Sequence, residues 1–133
     1  CGTAVLAMAA ASMSLNSVIA CDIDPVDVEV AVVNVLANDL EGRVNCVECV
    51  GFDGPALAQA APFDLIFATI LKVPLVDLAP DMAMHLAPGG IAILSGLLVE
   101  QADDIVAVYN AQGIDLVERE DLGEWTALTL IHK

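Results

Sequence analysis

The sequence predicts an α/β fold: a mostly parallel, twisted sheet with helices on both faces and a closing antiparallel hairpin. Three observations carry the prediction. Short apolar runs alternate with helix-forming segments through most of the 133 residues, the pattern of strand–helix–strand units. One such run, Val18-Ile19-Ala20-Cys21-Asp22, ends on an acid about 20 residues after Gly2. Beyond Gly113 the character changes, and two strand-like segments follow each other with only a turn between them.

In chain order, residues 4–14 are alanine-rich without a breaker and read as a helix. Residues 17–22 read as a buried strand. Asp24-Pro25 starts a second helix that runs to about Asn38. Asp24 can cap it, Pro25 suits its first turn, and Asp27 complements its dipole. Arg43–Val50 is strand-like through Val44, Val47 and Val50. Residues 54–60 form a short helix and 63–70 a strand. Residues 73–87 form a helix, with Leu75, Leu78, Met82 and Leu86 at helical spacing. Gly89-Gly90 turns the chain into a strand over 91–96, and 99–111 is a helix that Gly113 ends. Ile114–Glu120 and Glu124–Ile131 are strands joined by a turn at Asp121-Leu122-Gly123.

Length and composition bound the function. A chain of 133 residues is expected to be one domain, long enough for a single packed core. Hydrophobic residues make up 58%, but no run reaches the roughly 18 residues of a membrane span. Nor does a charged-then-apolar leader open the sequence. Such apolarity in short runs suits a parallel sheet buried on both faces. The formal charge of −15, from 19 acidic and 4 basic residues, repels nucleic acid and favours basic partners. Cys46 and Cys49 form a C-x-x-C within a predicted strand, where side chains three apart face opposite ways and cannot share a metal. A buried, reduced pair and a cytoplasmic location are expected, with no metal site.

The candidate site gathers at strand ends. Gly2-Thr3 would form a tight turn, followed by a helix N-terminus that offers free N–H groups to a ligand. Asp22 ends the second predicted element, where a carboxylate can accept both hydroxyls of a ribose, with Ile23 beside it. Asp24, before Pro25, is mainly a cap. Gly51-Phe52-Asp53 follows the next strand, and Phe52 can pack on an adenine. Thr69 ends the following strand and offers a hydroxyl and a carbonyl. His85 and His132 stand apart from any paired acid and read as structural. No G-x-S-x-G, H-E-x-x-H or phosphate-loop motif is present, so hydrolase and triphosphatase chemistry lack support. A nicotinamide-binding module is a competing reading, disfavoured by the lack of a full G-x-G-x-x-G and by the terminal hairpin.

With these residues in place, the chain resembles the catalytic domain of the PrmA family, which methylates protein eleven of the large ribosomal subunit. The matching phrases are Cys1-Gly2-Thr3-Ala4-Val5-Leu6-Ala7, Asp22-Ile23-Asp24-Pro25, Pro62-Phe63-Asp64-Leu65-Ile66 and Leu86-Ala87-Pro88-Gly89-Gly90. Leu94-Ser95-Gly96-Leu97-Leu98, Glu100-Gln101-Ala102 and Gly123-Glu124-Trp125 are more particular to that family. The resemblance covers essentially the whole chain. It implies a Rossmann-like class I fold dependent on S-adenosylmethionine (SAM), with seven strands, the last antiparallel. It also implies S-adenosylhomocysteine as product and a basic ribosomal protein as substrate, methylated at lysine side chains and its N-terminus. Under it, Gly2 and Thr3 fall at the methionine end of the cofactor, Asp22 and Ile23 at the ribose, Phe52 at the adenine, and Thr69 beside the methyl. The family has Asn where this chain has Thr69, which keeps a hydroxyl but loses the amide's paired donor and acceptor. The family's N-terminal recognition domain and first strand are not in this sequence. The strand edges so exposed would call for oligomerisation or strand exchange.

Overall fold

The computed structural model describes all 133 residues, in two compact units, Cys1–Gln59 and Ala60–Lys133. The first unit holds α1 (Val5–Met13), β1 (Val18–Asp22), α2 (Pro25–Ala37) and β2 (Val44–Glu48), with α3 (Pro55–Ala60) at its end. β1 and β2 are parallel, Val18 opposite Val44 and Asp22 opposite Glu48, so α2 is the crossover that parallel pairing requires. The helix starts as its sequence dictates: the Asp24 side chain accepts from the Val26 N–H at 2.9 Å, with Pro25 in the first turn. Arg43 spans back to α1, its guanidinium donating to the carbonyls of Ala11 and Ser14, which α1 leaves open at its C-terminus. A small core of Ala4, Ala11, Ala20, Ala31, Val35 and Val44 fills the space between these elements.

The second unit holds β3 (Phe63–Thr69), α4 (Lys72–His85), β4 (Leu86–Leu98), a short 3₁₀ turn over Val99–Gln101, α5 (Ala102–Ala111), β5 (Ile114–Leu122) and β6 (Trp125–His132). Its sheet runs β3-β4-β6-β5. β3 and β4 are parallel through α4, while β6 lies between β4 and β5 and is antiparallel to both. Alternate β6 residues Thr126, Leu128 and Leu130 are buried, as are Leu75, Ala79 and Met82 of α4 and Ala102, Ile105 and Tyr109 of α5. Fully burying each large aliphatic side chain contributes about 1.5–3 kcal/mol. That core carries the unit.

Several boundaries differ from the sequence reading. The helix predicted over 73–87 stops at His85, because Leu86 pairs with Phe63 and begins β4. Pro88-Gly89-Gly90 therefore lies inside a strand, where a register shift between Phe63 and Leu65 absorbs it. Gly90 is required there by close approach: an added Cβ would stand 2.8 Å from the Ala87 carbonyl oxygen and 3.0 Å from that of Phe63. The hairpin turn falls at Gly123-Glu124, since Leu122 and Trp125 pair directly and leave a two-residue loop. The helix predicted from residue 99 opens as a 3₁₀ turn. The sheet is not buried on both faces throughout: β3 is paired on one side only, and its Leu65 and Phe67 are exposed. Six strands form, the family's seven less the first, with the last antiparallel to both its neighbours; they lie in a two-stranded and a four-stranded sheet.

Candidate functional site

In the first unit, Cys1 to Ala4 forms a turn closed by the Ala4 N–H donating to the Cys1 carbonyl at 2.9 Å. Gly2 adopts a φ of +52°, the left-handed region that favours glycine, and no atom lies within 4 Å of where a Cβ would sit. The turn is pinned from one side by the Asn34 side-chain amide, which donates to the Thr3 carbonyl at 3.0 Å. On the other side is Asp22, at the carboxyl end of β1. Its Oδ2 accepts from the Gly2 N–H at 3.0 Å and from the amino group of Cys1 at 2.7 Å, and its Oδ1 accepts from the Asp24 N–H at 3.1 Å.

Burial by itself would raise the Asp22 pKa. The donors from Cys1, Gly2 and Asp24 outweigh it and hold the group down at about 2. Asp22 is thus a fixed anion at neutral pH. A carboxylate offers roughly four acceptor sites, so one remains for an incoming donor. Ile23, next in the chain, is 65% exposed. The loop after β2 turns through a hydrogen bond from Asp53 N–H to Val50 carbonyl at 2.9 Å. The thiol of Cys21, adjacent to Asp22, reaches the Gly51 carbonyl oxygen at 3.9 Å. That contact holds the loop carrying the half-buried Phe52 against β1.

Gly2, Asp22, Ile23 and the Phe52 loop are therefore assembled at one strand end. Thr3 enters through its main chain, its carbonyl being turned to α2. This set fits a cofactor with a ribose: a fixed anion with a spare acceptor site, an open glycine turn, and an aromatic loop at the carboxyl ends of parallel strands.

Thr69 belongs to the second unit. It is exposed at the end of β3, and its Oγ1 lies 2.8 Å from Ser95 Oγ, a pairing set by the parallel register of β3 and β4. Beside Ser95 opens a groove of about 480 Å³ lined by Gly96, Glu120, Asp121, Trp125 and Thr126 among others. Trp125 is 53% exposed. A hydrogen bond from the Arg119 guanidinium, at 2.9 Å, holds Asp121 below the usual carboxylate range. Glu120 and Asp121 were not legible as site residues, because their approach to Ser95 depends on the β6 strand lying between β4 and β5. The signal available was the Gly123-Glu124-Trp125 phrase closing the hairpin.

Other candidates resolve structurally. His85 Nδ1 lies 2.7 Å from the Asp81 carbonyl oxygen, and His132 Nδ1 lies 2.7 Å from that of Leu86. Lys72 is paired with Asp104 at 2.6 Å. All four cysteines are free, and Cys46 and Cys49 are half-buried rather than buried. No three His, Cys, Asp or Glu side chains converge as a metal site would need, and no helix is long and apolar enough to cross a membrane.

The family model for ribosomal protein L11 methyltransferase (PrmA) matches residues 1–133. The ribosomal protein L11 methyltransferase of Bradyrhizobium diazoefficiens is 45% identical over 129 residues, covering 97% of this chain. That of Chelativorans sp. is 46% identical over 127 residues, covering 96%. The chain spans 44% of the length of each of these relatives. Among solved structures, a ribosomal protein L11 methylase from Lactobacillus delbrueckii subsp. bulgaricus superposes with a TM-score of 0.81 at 29% identity, covering 99% of this chain and 66% of that one. The [4+2]-cyclase SpnF, at 15% identity and a TM-score of 0.79, shares the fold alone; the match covers 99% of this chain and 72% of that one. The fold is the Rossmann-like class I methyltransferase fold, and the chain belongs to the ribosomal protein L11 methyltransferase (PrmA) family.

Proposed function

We propose that this chain is a catalytic domain that binds SAM and transfers its methyl group to amino groups, at lysine side chains and the N-terminus, of ribosomal protein L11. The observation that carries the cofactor reading is the meeting of the Gly2 N–H and the Asp22 carboxylate, 3.0 Å apart, at the carboxyl end of a parallel strand. Asp22 would accept a ribose hydroxyl at its remaining acceptor site, with Ile23 alongside. Gly2 and Thr3 would hold the methionine end, and Phe52 would cover the adenine. Bound SAM supplies an activated methyl on a cationic sulfur, with S-adenosylhomocysteine as product.

The protein's own task is then to align a neutral amine and exclude water, so no strong general base is needed. In the second unit, Thr69 at the end of β3 and Ser95 within β4 offer two hydroxyls to an amine. The groove beside them, with Glu120, Asp121 and the exposed Trp125, suits a cationic side chain arriving from solvent. Most acidic side chains have no basic partner within the chain, since Lys72, Arg119 and Lys133 are already in ion pairs. This surface favours a basic substrate and disfavours nucleic acid.

The test is transfer of tritiated methyl from SAM to purified ribosomal protein L11, with bovine albumin as a control acceptor. Label appearing in the ribosomal protein and lost in Asp22→Ala supports the proposal. Label in both acceptors alike would point to a methyltransferase of another specificity.

A further inference from the structure

The structure brings together two thiols that neither the fold nor the proposed chemistry uses. Cys21 lies on β1, immediately before Asp22, and Cys49 follows β2 directly. The parallel register sets Cys21 opposite Val47, so Cys49, two residues further on, emerges on the same face. Both sulfurs reach one acceptor: Cys21 Sγ lies 3.9 Å and Cys49 Sγ 3.4 Å from the Gly51 carbonyl oxygen. Cys46, the neighbour suggested by the C-x-x-C spacing, pairs opposite Ala20 and packs against the apolar core instead.

We propose that Cys21 and Cys49 are a disulfide-forming pair, closed by exchange with a small-molecule disulfide such as oxidised glutathione. Closure brings the two sulfurs together to an S–S bond of about 2.05 Å. Cys49 supplies the approach by turning its side chain, since its own N–H stays bound to the Asp22 carbonyl at 3.0 Å. Burial pushes the Cys21 thiol up to about 12, with the neighbouring Cys49 adding to the shift, so Cys21 rests as a protonated thiol. Cys49 is therefore the first nucleophile. Its sulfur attacks oxidised glutathione, forming a mixed disulfide and releasing one glutathione. Cys21 then attacks the Cys49 sulfur and releases the second. Two protein thiols are oxidised, one glutathione disulfide is reduced to two thiols, and the protein's two protons end on them.

The bond would draw the Val50–Asp53 turn toward β1, beside Asp22. On the cofactor reading above, on which this consequence rests, oxidation lowers affinity for S-adenosylhomocysteine.

The experiment incubates the 133-residue chain with oxidised glutathione, maps its peptides without reduction, and titrates reduced and oxidised protein with S-adenosylhomocysteine. A Cys21–Cys49 linkage is expected in the native chain and in Cys46→Ser, and lost in Cys21→Ser and Cys49→Ser. Bridging of the same two thiols by phenylarsine oxide in the unmutated chain gives a check that requires no variant. A linkage through Cys46 or Cys1, or glutathione remaining on Cys49 as the end product, overturns the proposal. A linkage in a chain that binds no S-adenosylhomocysteine when reduced upholds the pair and defeats the cofactor reading. Binding without any linkage does the reverse. At least a tenfold loss of affinity on oxidation, reversed by dithiothreitol, is expected; equal affinity in both states overturns the regulatory consequence.

Discussion

Tyr109 allows the packing of the second unit to be tested with a single atom. Its side chain is fully buried on α5, and its hydroxyl donates to the Leu75 carbonyl of α4 at 2.9 Å. Burial raises its pKa, so the phenol stays neutral and acts only as a donor. Tyr109→Phe removes that bond and little else. The Leu75 carbonyl lies inside α4, where it keeps its intrahelical donor, so no buried acceptor is orphaned. The expected cost is then the net value of one hydrogen bond, about 1 kcal/mol. Tyr109→Ala also removes the ring and leaves a cavity, for which about 3–5 kcal/mol is expected. Urea unfolding followed by the fluorescence of the one tryptophan, Trp125, reports on this unit directly. With a slope of roughly 1–3 kcal/mol per molar urea, Tyr109→Phe should move the midpoint down by about 0.3–1 M. Tyr109→Ala should move it at least three times as far. A Tyr109→Phe midpoint equal to that of the parent chain, or as low as that of Tyr109→Ala, would refute this account of how α5 is held on α4.

Three further outcomes follow from the same geometry. Asp22 has a folded pKa of about 2 against an ordinary 3.8, so its stabilisation is fully present above pH 4 and lost as pH falls through 2. The stability gap between the parent chain and Asp22→Asn, measured by urea unfolding, should be constant from pH 7 to about pH 4 and shrink below it. Gly90→Ala forces a methyl against two backbone carbonyls and should cost about 1–3 kcal/mol, visible as a lower thermal midpoint with unchanged circular dichroism at room temperature. Thr69→Asn replaces one partner of the Thr69–Ser95 hydroxyl pair with an amide that both donates and accepts. It should raise the rate of methyl transfer to ribosomal protein L11, with S-adenosylhomocysteine affinity changed less than threefold.

Most of the fold was legible because its local signals agree with one another. The Asp24 cap, Pro25 at the first turn and the apolar runs all point to the elements that form. What escaped were features set by pairing between distant segments. Pro88-Gly89-Gly90 carries every mark of a turn, yet the pairing of Leu86 with Phe63 draws it into β4. The hairpin loop moved to Gly123-Glu124 because Leu122 and Trp125 pair, and the tight loop needs glycine at its first position. At the site, the Gly2–Asp22 pair follows from a spacing that sequence reveals. The Thr69–Ser95 contact and the Cys21–Cys49 pair depend on strand register, which apolar runs without alternation do not specify. The exposure of Leu65 and Phe67 follows from sheet order, since a strand paired on one side only cannot be read from its own residues.

Whether the Gly2–Asp22 strand end holds the cofactor is decided by calorimetric titration of S-adenosylhomocysteine into the chain, with NAD as control. Saturable binding of S-adenosylhomocysteine alone is expected. Asp22→Ala should weaken it by about 10- to 100-fold, the value of a charge-assisted hydrogen bond at roughly 1.5–3 kcal/mol. Binding of NAD in its place, or affinity untouched by Asp22→Ala, would contradict it.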